Sequence, residues 1–154
     1  MLIVKKWNYL KNLNDNWLLS LPKPLTTIAI VNEKKNQLLN SKFPVILYNT
    51  NVGALASIYH HLNSILLQSF LLSTGNLSIS VSIGENQLFN SIMNYIIIHS
   101  KQIVGIIKSN EKSIWPPSIL ALKTAALYLN DPKEQNEVYN LSLKIQNHTG
   151  IRIL

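Results

Sequence analysis

The chain has 154 residues, 47% of them apolar and only 14% charged, which is enough to build one ordinary domain and too apolar for a disordered one. Fourteen Lys and Arg stand against seven Asp and Glu, a net charge of +7 that suits a phosphate backbone or an anionic membrane surface. There is no cysteine, which excludes disulfides, thiolate catalysis and zinc–thiolate sites.

The first segment, MLIVKKWNYL, has too short an apolar part for a signal peptide and lacks the Arg-rich character of a transit peptide. Asn and Ile, both with AT-rich codons, are abundant, so the expectation is a product of an organelle's own genome. Trp7 and Trp17 then flank NYLKNLNDN, with Lys5, Lys6 and Lys11 close by. Rings, amides and lysines in one exposed stretch are what contact with phosphates and unpaired bases requires. The same residues serve equally well if the indoles cap the core and the amides make turns.

LTTIAIVN (25–32) reads as a buried strand after Pro22 and Pro24, EKKNQLLNSK (33–42) as a two-turn polar helix, and FPVILYNTN (43–51) as a second buried strand. Strand, helix and strand in that order predict a βαβ unit, hence a parallel sheet covered on both faces. Leu55, Ile58, Leu62, Ile65, Leu66 and Phe70 fall at helical spacing. LSISVSIG (77–84) alternates like a strand with one packed face, and Gly84 then supplies a strand-to-helix turn. A long helix is expected from about Asn86 to Ile107, with Leu88, Phe89, Ile92, Met93, Ile96, Ile97, Val104 and Ile107 on its buried stripe.

After the polar KSNEKSIWPP (108–117) come two more helices, one over 118–129 and one starting at NDPKEQ. There Asp131 is placed to cap, Pro132 suits the first helical position, Glu134 completes a capping-box pattern, and Gly150 ends the helix. The fold class expected is thus α/β, a three-layer parallel-sheet (flavodoxin/Rossmann-like) core over residues 1–108 with a C-terminal helical hairpin over 109–154. No stretch is convincing as a membrane span: 92–107 is short and carries His99 and Lys101.

Catalytic chemistry finds little support. His60 and His61 are adjacent on a helix and point apart, while His99 and His148 lack a ligand-spaced partner, so no metal site is expected. The acids are scattered, no Ser sits in a nucleophile-elbow pattern, and NVGALA and SIGENQ each offer one glycine where a phosphate loop needs several. A small enzyme on a doubly wound fold is the least favoured reading.

Four segments in order resemble the small-subunit ribosomal protein S2 family in its bacterial and organellar form. KKWNYLKNLNDNW (5–17) is similar to that family's Trp-led turn, with Trp7, Leu13 and Asn14 or Asn16 as counterparts. LPKPLTTIAIVN (21–32) and FPVILYNTN (43–51) look like two of its strands, the second matching at Pro44, Asn49, Thr50 and Asn51. SIGENQLFNSI (82–92) places Gly84 on the family's turn glycine and Ser91 and Ile92 on its closing pair. Ile83, Asn86, Gln87 and Asn90 depart from the family pattern, and 108–154 finds no counterpart.

The resemblance implies a mitochondrial, matrix-located, ribosome-associated protein. It implies a structural role in translation: binding ribosomal RNA of the small subunit and neighbouring small-subunit proteins, with no cofactor, small-molecule substrate or catalytic step. Lys5, Lys6, Lys11, Lys34 and Lys35 would then neutralise phosphates, and Trp7, Asn12, Asn14 and Asn16 would pack on RNA or a neighbour. The alternative reading is an organelle-encoded accessory subunit of a respiratory-chain or ATP-synthase complex, its apolar helices lying against membrane subunits.

Overall fold

Ile3, Trp7, Leu10, Asn14 and Trp17 recur at three- and four-residue intervals. In the computed structural model, which describes residues 2–31, 41–73 and 85–153, they share one face of a helix, α1 (Leu2–Leu19). A 3₁₀ turn at Lys23–Leu25 leads into strand β1 (Thr27–Val31), which pairs with β2 (Val45–Tyr48). Four further helices follow: α2 (Asn51–Ser73), α3 (Glu85–Ser109), α4 (Trp115–Ala126) and α5 (Pro132–Thr149).

The sheet corrects the expectation of a parallel, three-layer α/β core. β1 and β2 run antiparallel, in register from Val31↔Val45 to Thr27↔Tyr48 with an irregularity between Thr27 and Ala29, and form a two-stranded sheet. A central parallel strand is covered on both faces, whereas Ile28 is 63% and Ile30 54% exposed. The far edge of β2, where a third strand would pair, is taken by side chains. The Ile46 N–H donates to Ser109 Oγ (3.3 Å), the Tyr48 N–H donates to Asn110 Oδ1 (3.1 Å), and Asn110 Nδ2 donates to the Ile46 carbonyl (2.8 Å). The end of α3 thereby satisfies the backbone groups that another strand would have satisfied. The expected strand 77–84, the turn at Gly84 and most of the helix 33–42 lie outside the described residues.

The core is built where α2, α3, α4 and β2 meet. Ala54, Ile58, Leu62 and Ile65 of α2 face Ile92, Ile96, Ile103 and Ile107 of α3, and α5 adds Val138, Leu141 and Ile145 to the same cluster. Residues 103–107 are buried all the way round, which marks α3 as the central helix. Gly105 lets it pass close to the chain before β2: a Cβ there would stand 2.4 Å from the Pro44 carbonyl oxygen.

Helix α4 begins and stops three residues earlier than the 118–129 expected, whereas α5 is bounded as its signals dictate. Pro116 and Pro117 sit in the first turn of α4, where a missing N–H costs nothing. Asp131 caps α5 by accepting from the Lys133 N–H (2.8 Å), and Gly150 closes it in the left-handed conformation, φ 72°. Glu134 is not the reciprocal half of a capping box. It is buried and pairs with Lys101 (2.8 Å).

Candidate nucleic-acid interface

The basic, amide-rich segment at the start of the chain is an amphipathic helix whose two faces have different work. Its inner face is tied to α2 by two long-range hydrogen bonds. The Trp7 indole N–H donates to the Leu67 carbonyl (2.8 Å), and the Asn14 amide donates to Ser64 Oγ (2.9 Å). Both residues expected to meet RNA or a neighbouring protein therefore hold α1 in place. Lys11 forms an ion pair one turn along with Asp15, which competes with any phosphate for its ammonium. Lys5, Lys6, Asn12 and Asn16 are exposed, and neither Lys5 nor Lys6 has an acidic partner among the described residues. Lys34, Lys35 and Gly84 lie outside the described residues.

Between α1 and α2 runs an open groove of about 810 Å³, lined largely by apolar groups including Ile3, Leu10, Leu13, Trp17, Leu66 and Phe70. Leu66 and Phe70, expected on the core stripe of α2, face this groove instead, 52% and 43% exposed. The apolar surface of α2 is wider than the core can cover. Lys6 sits among the lining residues, so one side of the groove carries positive charge.

At the inner end of that groove His60 stacks on Trp17, ring centroids 5.7 Å apart and 21° between planes. Its Nδ1 is buried without a hydrogen-bond partner. Burial lowers its pKa, against the opposing pull of Asp15 and the Asn14 backbone. Next to it, His61 and His99 meet Nδ1 to Nδ1 at 2.8 Å, and the Tyr95 ring lies 4.3 Å from His99 between centroids. One imidazole must donate and the other accept, so the accepting ring is neutral and the two cannot both be charged. Burial, reinforced by the neighbouring imidazoles, lowers the pKa of His61 to about 3; burial and His60 lower that of His99 to about 4. Sequence spacing did not reveal this contact, because it joins two helices 38 positions apart. Among the described residues no group of three or more His, Asp or Glu is placed to hold a metal ion.

The distribution of charge is simple. Asp15, Asp131, Glu134 and Glu137 each pair with a lysine: Lys11, Lys42, Lys101 and Lys108 respectively. Glu111 accepts from the Asn51 amide (3.0 Å). Among the described residues, Lys5, Lys6, Lys23, Lys112, Lys123, Lys133, Lys144 and Arg152 are left with no carboxylate. No described helix is long and apolar enough to cross a membrane. Compared with protein-family models, with curated proteins and with solved structures, the chain finds no match in any of the three.

Proposed function

We propose that this chain is a non-catalytic constituent of the small subunit of a mitochondrial ribosome, holding ribosomal RNA and neighbouring proteins in place. The observation that carries the reading is the uncancelled positive charge. The carboxylates with ion pairs are already matched one to one, so eight cations among the described residues, set against the unpaired Glu111, leave a net positive field. All but one of those eight are lysines. Compact ammonium charges on flexible stems neutralise phosphates without reading sequence, which is what a scaffold protein on a fixed RNA needs. The apolar groove beside α1 supplies a second kind of surface, fitted to a protein neighbour rather than to RNA. The order of the family-like segments along the chain supports the same reading, without the parallel sheet once expected from them.

The test is assembly. Changing Lys5, Lys6 and Lys11 together to Ala removes up to three phosphate contacts, and affinity for the small subunit should fall roughly tenfold or more at physiological salt. Co-sedimentation with the small subunit that is unchanged by the triple substitution would overturn the role given to α1. The exposed Trp17 and Phe70 in the groove favour one other reading, an accessory subunit docked on a membrane complex. Release by high salt together with ribosomes, as opposed to extraction with detergent from the inner membrane, separates the two.

A further inference from the structure

A second concave surface lies where α5 passes the end of α3 and the beginning of α4. It measures about 780 Å³ and is lined by Lys108, Lys112 and Trp115 on one wall and by Glu137, Asn140, Lys144, Asn147 and His148 of α5 on the other. We propose that this groove is a binding site for the phosphodiester backbone of RNA, with Lys112 and Lys144 as its phosphate contacts. The proposal rests on the RNA-binding reading above and adds a place that the sequence had not marked.

The local charge balance is the first argument. Glu137 is the one carboxylate among the lining residues, and it is spoken for. It accepts from the Ser41 hydroxyl (2.9 Å) and the Lys42 N–H (2.7 Å) and pairs with Lys108. Burial pushes its pKa up, yet Lys108, Lys42 and Ser41 together hold it below the ordinary value, so it stays ionised with its charge consumed. Lys112 and Lys144 are exposed and have no acidic partner among the described residues. The Lys112 ammonium stands 5.7 Å from the centroid of the Trp115 ring, a cation–π contact that holds it at the wall.

The second argument is what flanks Lys144 on α5. Asn140, Lys144 and Asn147 are four and three residues apart on α5 and so share a face, as their common place in the groove shows. An amide both donates and accepts, which suits phosphate oxygens and a ribose 2′-hydroxyl alike. Trp115 and Leu141 are 8% and 6% exposed. Neither ring nor aliphatic chain is available for bases to stack on or for insertion into lipid. The groove therefore reads backbone rather than base, and a curved polyanion rather than a flat membrane. His148 also lines the groove, edge-on to Trp115 at 5.5 Å between centroids.

The experiment measures binding of the full chain to a fluorescein-labelled RNA hairpin by anisotropy over a series of KCl concentrations. For the Lys112→Ala/Lys144→Ala pair we expect affinity to fall roughly tenfold, and the slope of log K against log salt to shrink by about 1.5, two contacts at about 0.7–0.9 each. A charge-matched pair on other exposed surface, Lys123→Ala/Lys133→Ala, should lose less than about twofold, since diffuse charge screens beyond roughly one Debye length. Both variant pairs lie on exposed positions, and coincident thermal unfolding curves establish that they fold. Equal losses in the two pairs, or no loss in either, overturn the groove. An intact groove-pair affinity beside a weakened Lys5/Lys6/Lys11 variant sinks the groove alone and leaves the ribosomal reading standing. Wild-type protein that ignores the hairpin at low salt but binds phosphatidylserine vesicles sinks both.

Discussion

Helix α1 and the second half of α3 draw on a similar stock of large apolar residues and meet opposite fates. From Ile103 to Ile107 every residue of α3 is buried, while none of the described side chains of α1 is, and Ile3, Leu10, Leu13 and Trp17 all stand more than a third exposed. The difference lies in what surrounds them. α3 is enclosed by α2, α4 and β2, whereas α1 touches essentially α2, through a groove left open on its other side. A helix enclosed on all sides is held by packing; a helix on one neighbour, with its apolar face half-covered, is held by a few polar bonds and by whatever docks there later. In this molecule the stable centre and the adaptable rim are separate helices.

The most damaging way to probe that contrast is at the centre. A Cβ at Gly105 would lie 2.4 Å from the Pro44 carbonyl oxygen and 3.0 Å from its ring, and the backbone there is not in the left-handed region. Gly105→Ala gains up to about 1 kcal/mol of helix propensity but forces α3 off the chain entering β2. The net loss should be about 3 kcal/mol, an overpacking cost of the larger kind. Urea unfolding reads it directly. A midpoint equal to that of wild type would mean α3 is not clamped between its neighbours, and the contrast with α1 would dissolve.

How much of this was visible in the sequence follows the same division. The helices 51–73 and 85–109 announce themselves by apolar spacing, and α5 by Asp131, Pro132 and Gly150, because those signals are local. β1 and β2 were legible as strands, but TIAIV and VILY are equally good as buried parallel strands or as an exposed antiparallel pair. What decides between them is Ser109 and Asn110 reaching the edge of β2 from more than 60 positions away. The amides and lysines of α1 drew the reading toward an exposed contact segment, while the 3–7–10–14–17 spacing that makes it a helix was there to be read. Lys112 and Lys144 meet across a groove only once α5 is docked, and no spacing in the chain brings them together.

Acid gives an intermediate effect, located between centre and rim. His61 and His99 are neutral when folded, with pKa values near 3 and 4, and about 6.5 when unfolded. Between those values the unfolded chain binds more protons, so stability is fully present above about pH 6.5 and drains away as pH falls toward 3 to 4. From about pH 6.5 to about pH 5 the loss should be on the order of 1.5 kcal/mol for each of the two histidines. Asp131 and Glu137, whose pKa values are lowered in the fold, add losses only below the carboxylate range, so they do not contaminate this window. His60, also lowered by burial, adds in the same direction, and Asp15 opposes it. His99→Gln should flatten the dependence, measured as the urea midpoint against pH. Because His61 and His60 remain, the slope should shrink by roughly half and not vanish; an undiminished slope would place the acid-sensitive group elsewhere.

The smallest effect belongs to the rim itself. Trp7→Phe removes the indole donor to Leu67, and Asn14→Ala removes the amide donor to Ser64, each worth about 1 kcal/mol. Neither touches the buried cluster of α2, α3 and α4, so the loss should be local. Amide exchange in α1 should quicken by roughly fivefold per substitution, about 1 kcal/mol expressed as an opening constant, while protection at Ile103–Ile107 stays as it was. Because the two bonds lie two turns apart on one helix, the double variant should release α1 altogether and expose the whole groove without shifting the global unfolding midpoint by more than a fraction of what Gly105→Ala does. If central and peripheral amides instead accelerate together, α1 is part of the cooperative core. Its open apolar face would then be a structural cost carried by the fold, and not a surface waiting for a neighbour.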